Sequence, residues 1–222
     1  MKSLYFLGTA VALALTGPAM AANLVTNGGF ESGSFSGWSL SNVGGGTAPV
    51  VIAYGQGSGY PTGAYGESIP APAGGGTYGA YFSSDTANPD SLSQSVNVVA
   101  GVSYYLSFDY FVPLNGYGNP FDASLQFLID DVPAGLSLTA GSVSGTTPQT
   151  WYTFTTQFTA TNSGPANLKF NFFGDGSTAA DFVVDNVSMA AVPEPATWAL
   201  MIGGFALAGI QLRRRRVSTS FA

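Results

Sequence analysis

The stretch Tyr104-Tyr105-Leu106-Ser107-Phe108-Asp109-Tyr110 decides the fold class. Tyr104, Leu106, Phe108 and Tyr110 fall on one side of an extended chain, which is the two-residue period of a half-buried β-strand. Leu125, Phe127 and Ile129 repeat the pattern in Leu125-Gln126-Phe127-Leu128-Ile129. Tyr152, Phe154 and Phe158 alternate with Trp151, Thr153, Thr155 and Gln157, and Leu168, Phe170 and Phe172 alternate with Lys169 and Asn171. Further strands are expected over Val50–Tyr54, Tyr78–Phe82, Leu92–Val99 and Asp181–Met189. Turn chemistry separates them at Ala100-Gly101, Asn115-Gly116, Asn162-Ser163-Gly164-Pro165 and Gly174-Asp175-Gly176. About eight alternating strands without intervening helices predict a two-sheet, all-β sandwich.

Composition narrows the chemistry. The chain has 222 residues with no histidine and no cysteine. That excludes zinc fingers, haem, iron–sulfur clusters, disulfides, a Ser-His-Asp triad and a cysteine nucleophile. A metal would have to bind through oxygen, which means calcium or magnesium. Between Asn23 and Val192 there are eleven acidic residues against the single Lys169, a net charge of −10. Such a body repels phosphate backbones, so no nucleic-acid partner is expected.

Both ends read as addresses. Residues 1–21 have the form of a secretory signal peptide: Lys2, an apolar run from Leu4 to Leu15, and the small-x-small site Ala19-Met20-Ala21. At the other end the rigid Val192-Pro193-Glu194-Pro195 precedes an apolar segment from Thr197 to Leu212, which precedes Arg213, Arg214, Arg215 and Arg216. Sixteen helical residues cover roughly 24 Å, marginal for a bilayer core of about 30 Å. Arginines placed on the cytoplasmic side would leave the body outside, in agreement with a signal peptide. The expected organisation is therefore a signal peptide (1–21), one β-sandwich domain (22–191) and a sorting segment with a transmembrane helix (192–217).

The order Pro193-Glu194-Pro195, Trp198-Ala199-Leu200, Gly203-Gly204 and Arg213 to Arg216 closely resembles the PEP-CTERM sorting signal of exported bacterial proteins. The resemblance implies recognition by an exosortase, a membrane protease or transpeptidase acting near Pro-Glu-Pro. It implies passage through the inner membrane of a Gram-negative, biofilm-forming host, then the cell surface or extracellular matrix. It says nothing about the body.

The body opens with Asn23-Leu24-Val25-Thr26-Asn27-Gly28-Gly29-Phe30-Glu31-Ser32-Gly33 and Gly37-Trp38, and closes with Phe182-Val183-Val184-Asp185-Asn186-Val187-Ser188. With Leu92-Ser93-Gln94-Ser95-Val96 between, this resembles the galactose-binding-like jelly rolls, which include carbohydrate-binding modules. That family often holds a structural calcium between the opening motif and the final strand. Glu31 and Asp185 match its carboxylate positions, with Gly29 as a candidate carbonyl donor. The residues point the same way on their own. Asp185 shares strand parity with Val183 and Val187 and is expected to face inward, where a carboxylate needs a partner that one lysine cannot supply.

Other features divide between function and packing. Asp130-Asp131 and Gly174-Asp175-Gly176 read as turns, the latter lacking the later ligands of a calcium loop. Trp38 and Trp151 read as core. The loop Tyr54 to Glu67 spaces Tyr54, Tyr60 and Tyr65 through glycine beside Glu67. Tyrosine faces can stack on sugar C–H faces while acidic and amide groups bond hydroxyls, so these four are the candidate ligand-binding residues; the alternative is that the loop packs on the sandwich. No paired carboxylates mark a hydrolase cleft, and an enzyme is not expected. The leading expectation is an exopolysaccharide-binding module. The alternative is a structural matrix protein without a specific small ligand.

Overall fold

A computed structural model describes residues 21–43, 47–57, 59–84, 86–114, 123–139, 149–174, 180–193 and 195–214. The predicted signal peptide, the turns at Asn115-Gly116 and Asp175-Gly176, and Glu194, Arg215 and Arg216 lie outside them, apart from Ala21. Ten strands run in chain order: β1 (Ser39–Asn42), β2 (Val50–Ala53), β3 (Tyr78–Ser84), β4 (Asp90–Val98), β5 (Ser103–Phe111), β6 (Ala123–Ile129), β7 (Val132–Thr139), β8 (Trp151–Thr159), β9 (Gly164–Gly174) and β10 (Ala180–Ala191). A C-terminal helix, α1, follows at Pro195–Arg214. The strands form two five-stranded antiparallel sheets, β1-β4-β9-β6-β7 and β2-β3-β10-β5-β8. The architecture is the expected jelly-roll sandwich.

Alternation builds the core. Leu92, Leu125, Phe127, Leu168, Phe170 and Phe172 from one sheet meet Ala80, Phe82, Leu106, Phe108, Phe182 and Val184 from the other, all fully buried. Each such aromatic or aliphatic side chain contributes about 1.5–3 kcal/mol by leaving water. Phe170 is central, with its ring 4.9 Å from Phe108 edge to face and 5.0 Å from Phe127. Trp38 is buried, as expected, against Phe30 and Phe170.

Two strands were not legible as such. β1 is short and wholly exposed, so it carries no alternation. β7 contains Pro133 and Gly135, which read as turn chemistry, yet it pairs with β6 by absorbing a register shift between Phe127 and Leu128. Asp130 and Asp131 form the expected two-residue hairpin turn, both with positive φ (50° and 62°). Asp131 pairs there with Lys169.

The β2-β3-β10-β5-β8 sheet has an unusual second side. One cross-strand row on its outer face reads Val50, Tyr81, Val183, Phe111, Trp151. The segment 54–77 folds over this row, and Ala64 and Ile69 complete a second buried cluster with Ile52, Tyr81, Phe111 and Val183. This corrects one expectation. Val183 and Asp185 point away from the main core, whereas Val187 points into it. The reason is a bulge: Asp185 faces Asp109 and Ser188 faces Ser107, so β10 carries one extra residue. Asn186, at φ 51°, absorbs it and reverses the parity beyond. Asp185 is nevertheless fully buried, because the 54–77 segment covers it.

Candidate functional site

The bulge in β10 is where the opening motif docks. Leu24 N–H bonds the Met189 carbonyl (2.8 Å) and Val187 N–H bonds the Gly28 carbonyl (2.9 Å). A Cβ on Gly28 would stand 2.0 Å from the Val187 carbonyl oxygen, so only glycine admits this approach. Asn27 ties the turn that follows, donating to the Ser34 and Ser36 carbonyls while its own carbonyl accepts Trp38 Nε1–H. Gln94 clamps the loop through Thr26 and Gly37. Glu31 and Asp185 are thereby brought to the same place. The point where a Cβ on Gly29 would stand lies 3.6 Å from Asp185 Oδ1 and 3.7 Å from Glu31 Cγ.

Asp185 accepts the Tyr54 hydroxyl on Oδ2 (2.8 Å) and its neighbour Asn186 N–H on Oδ1 (2.6 Å). Glu31 accepts Thr77 N–H on both oxygens (2.9 and 3.0 Å) and Tyr78 N–H on Oε1 (3.1 Å). Asp109 faces Asp185 across the β5–β10 ladder and accepts Asn186 Nδ2–H and the Thr153 hydroxyl. Three carboxylates thus share one patch. Burial pushes Asp185 up to about 7, and the charges of Glu31 and Asp109 add to that. The Tyr54 hydroxyl is raised far above the ordinary tyrosine range by burial and by Asp185.

The donor chemistry suits a hard cation: carboxylate oxygen, with carbonyl oxygens from a glycine-rich turn. Gly76 is part of the same cradle, since a Cβ there would fall 2.2 Å from the Glu31 carboxylate. Although three carboxylates lie near one another, no three acidic, histidine or cysteine side chains among the described residues are placed to hold one metal ion together, so main-chain oxygens would complete any shell.

The candidate ligand-binding residues separate. Tyr54 is half-buried, its hydroxyl on Asp185 and its ring edge-on to Trp151 at 5.9 Å. It serves the carboxylate patch. Tyr60 and Tyr65 stack face to face at 4.9 Å and 9°, with Tyr65 exposed. Glu67 turns to the Leu114 N–H (2.7 Å) and Gln149, bracing the ends of β5 and β8. Trp151 is only half-buried. It packs on Phe111 and donates its indole N–H to the Pro70 carbonyl, pinning the covering segment.

Three residues carry more than the sequence suggested. Asp109 and Asn186 complete the polar patch, and Tyr105 stands 45 % exposed on the open part of the same outer face. Strand parity places Tyr105 and Asp109 opposite Phe108, a signal the alternation already held. The bulge at Asn186 left no such signal.

Helix α1 is apolar on every side: Ile202, Phe205, Leu207, Ile210 and Leu212 are all more than half exposed. No helix among the described residues is long and apolar enough to cross a membrane.

Comparison with known proteins places these features. No curated protein sequence matches the chain. Among solved structures, the family 61 carbohydrate-binding module TmCBM61 in complex with beta-1,4-galactotriose is similar at 19% identity over 78% of this chain and 100% of that one, TM-score 0.50. The xylan-binding CBM22-1 domain of Paenibacillus barcinonensis Xyn10C is similar at 16% identity over 80% and 99%, TM-score 0.50. A Stig cyclase from Fischerella sp. TAU is similar at 17% over 78% and 98%, TM-score 0.53. These likenesses establish the jelly-roll fold, which serves binding modules and an enzyme alike. The tail is more specific: residues 191–216 match the PEP-CTERM protein-sorting motif, so the chain carries a signal for exosortase-dependent export behind a jelly-roll body.

Proposed function

We propose that this is a non-catalytic, exported surface or matrix protein whose sandwich binds extracellular polysaccharide. One observation carries the reading. Among the described residues of the sandwich, the exposed aromatic rings are Tyr65 and Tyr105, and both belong to the outer side of the β2-β3-β10-β5-β8 sheet. Between them, along β5, run Ser107 and Asp109, flanked by Thr153, Thr155, Gln157 and Ser188. Tyr105 and Asp109 are four residues apart, roughly 13 Å of strand, and beyond them Phe111 is buried beneath the covering segment. A lane of hydroxyl and amide groups with the Asp109 carboxylate at its end, between two aromatic platforms, suits an extended glycan better than a compact ligand.

Calcium is proposed as a structural ion held by Glu31 and Asp185 with the Gly29 carbonyl. It would neutralise the buried Asp185 together with the exposed Glu31 and fix the opening loop on the β10 bulge. Helix α1, with Ile202, Phe205, Leu207, Ile210 and Leu212 exposed, is proposed to be accommodated by the inner membrane and the exosortase before processing near Pro195, with a Gram-negative biofilm as the setting. Glycan binding by Tyr105→Ala and Tyr65→Ala variants tests the lane. A five- to tenfold loss from each is expected, about 1 kcal/mol per stacking platform. Unchanged binding in both would remove the lane, and no binding by the parent would favour a structural matrix role.

A further inference from the structure

The sandwich has four edge strands, and three are guarded against pairing. β1 and β2 are four residues each, and Ala53 N–H at the end of β2 is already bonded to the Thr62 carbonyl. β7 carries Pro133, Gly135 and a register shift. Short strands, prolines and bulges are the usual devices that blunt an edge. β8 has none of them. Its nine residues, Trp-Tyr-Thr-Phe-Thr-Thr-Gln-Phe-Thr, contain no charge, glycine or proline, and pair with β5 without a shift. In the β-ladders of the described residues β8 pairs with β5 alone, and Trp151 at its start also bonds the Pro70 carbonyl through its indole N–H. Beside it, between β8 and the β6–β7 hairpin, lies an open groove of about 590 Å³ lined by Ile129, Val132, Pro133, Thr156 and Phe158.

We propose that β8 is a homodimerisation edge: two copies pair β8 to β8, antiparallel, about a two-fold axis at Thr155. The sequence is self-complementary in that register. Thr155 meets Thr155, Phe154 meets Thr156, and Tyr152 meets Phe158 on the core side. Thr153 meets Gln157 and Trp151 meets Thr159 on the outer side. Every facing pair is uncharged, and threonine and aromatic cross-strand pairs stabilise a ladder. A slip by one residue would oppose core-side to outer-side residues. A second copy is the occupant because β8 brings no charged residue to the contact although the body carries a net charge of −10, and an isologous contact closes after two copies. The body's charge of −10 opposes approach at long range, so pairing strengthens with ionic strength. The product is a ten-stranded sheet. If the glycan-lane reading also holds, it presents two lanes on one surface; the pairing itself does not depend on that reading.

The chain has no cysteine, so single-cysteine variants of the full chain in detergent report contacts directly. Facing residues of antiparallel strands lie about 4.5–5.5 Å apart at Cα, within disulfide reach. Thr155→Cys is expected to form a disulfide dimer under mild oxidation. Gln157→Cys alone is expected to cross-link at least tenfold less, its two copies being offset by roughly 14 Å along the strand. Mixing Gln157→Cys with Thr153→Cys restores the cross-link. Thr155→Lys, at an exposed position, keeps the β-sheet circular dichroism but sediments as a monomer. The proposal is overturned if Thr155→Cys cross-links no faster than Ser41→Cys on β1, or if Gln157→Cys alone matches Thr155→Cys. Association through α1 would accelerate all of these alike and is recognised by that pattern.

Discussion

Replacing Asp185 by asparagine should stabilise the calcium-free domain and destabilise it when calcium is present. The carboxyl is fully buried, and its pKa stands at about 7 against an ordinary 3.8. The folded state therefore holds its proton where the unfolded chain has released it. Stability from this group is complete below about pH 4, declines as pH rises, and is lost above about pH 7. The full displacement of about three pH units converts to about 4 kcal/mol. Discounted by about half for screening by nearby solvent, the buried charge costs about 2 kcal/mol at pH 8. Asparagine carries no charge: its Oδ1 can accept the Asn186 N–H while its Nδ2–H donates to the Tyr54 hydroxyl oxygen, which reverses that bond.

The assay is thermal melting of residues 22–192, parent and Asp185→Asn, with EDTA and with calcium, from pH 4 to pH 8. In EDTA at pH 8 the variant should melt about 4–8 °C higher, and the two should converge near pH 4. Calcium at a hundredfold its Kd should add about 2.7 kcal/mol to the parent and nothing to a variant that has lost the ligand, reversing the order. A variant less stable than the parent in EDTA at pH 8 would refute the buried-charge argument. A parent whose melting temperature ignores both EDTA and calcium would refute the ion.

Other outcomes follow from the same geometry. Phe170→Ala removes the ring that joins Phe108, Phe127 and Trp38, and should cost about 3–5 kcal/mol in denaturant unfolding. Gly28→Ala forces a methyl against the Val187 carbonyl and should cost about 1–3 kcal/mol, with amide exchange rising first at Val187. Replacing Pro193, Glu194 and Pro195 by alanine should leave an unprocessed precursor in the membrane fraction, read as a size difference on immunoblots. Deleting Arg213–Arg216 should do the same if the arginines act as the stop.

What the sequence shows of this fold follows from which residues are half-buried. β5, β6, β8 and β9 alternate because one side packs on Phe170 and its neighbours and the other meets water or a covering loop. β1, exposed on both sides, and β7, with proline and glycine in an edge, have no such contrast to display. The convergence of Glu31 with Asp185 was legible through the opening and closing motifs, but the face Asp185 occupies was not. A single extra residue at Asn186 turns it, and bulges write no period into a chain. The covering role of residues 54–77 was equally hidden, since Ala64 and Ile69 are isolated apolar residues in a glycine-rich loop. Of the four residues grouped around that loop as a ligand site, Tyr54 turns to Asp185 and Glu67 to the β5 and β8 ends, while Tyr60 and Tyr65 stack on one another with Tyr65 exposed.

The central claim is that the outer face of the β2-β3-β10-β5-β8 sheet binds polysaccharide. A glycan array probed with residues 22–192, once with calcium and once with EDTA, tests it most directly. Selective binding to an extended polysaccharide, lost in Tyr105→Ala and weakened by EDTA, is the expected result. A cooperatively folded domain that binds nothing in either condition would contradict the claim and leave a structural matrix protein.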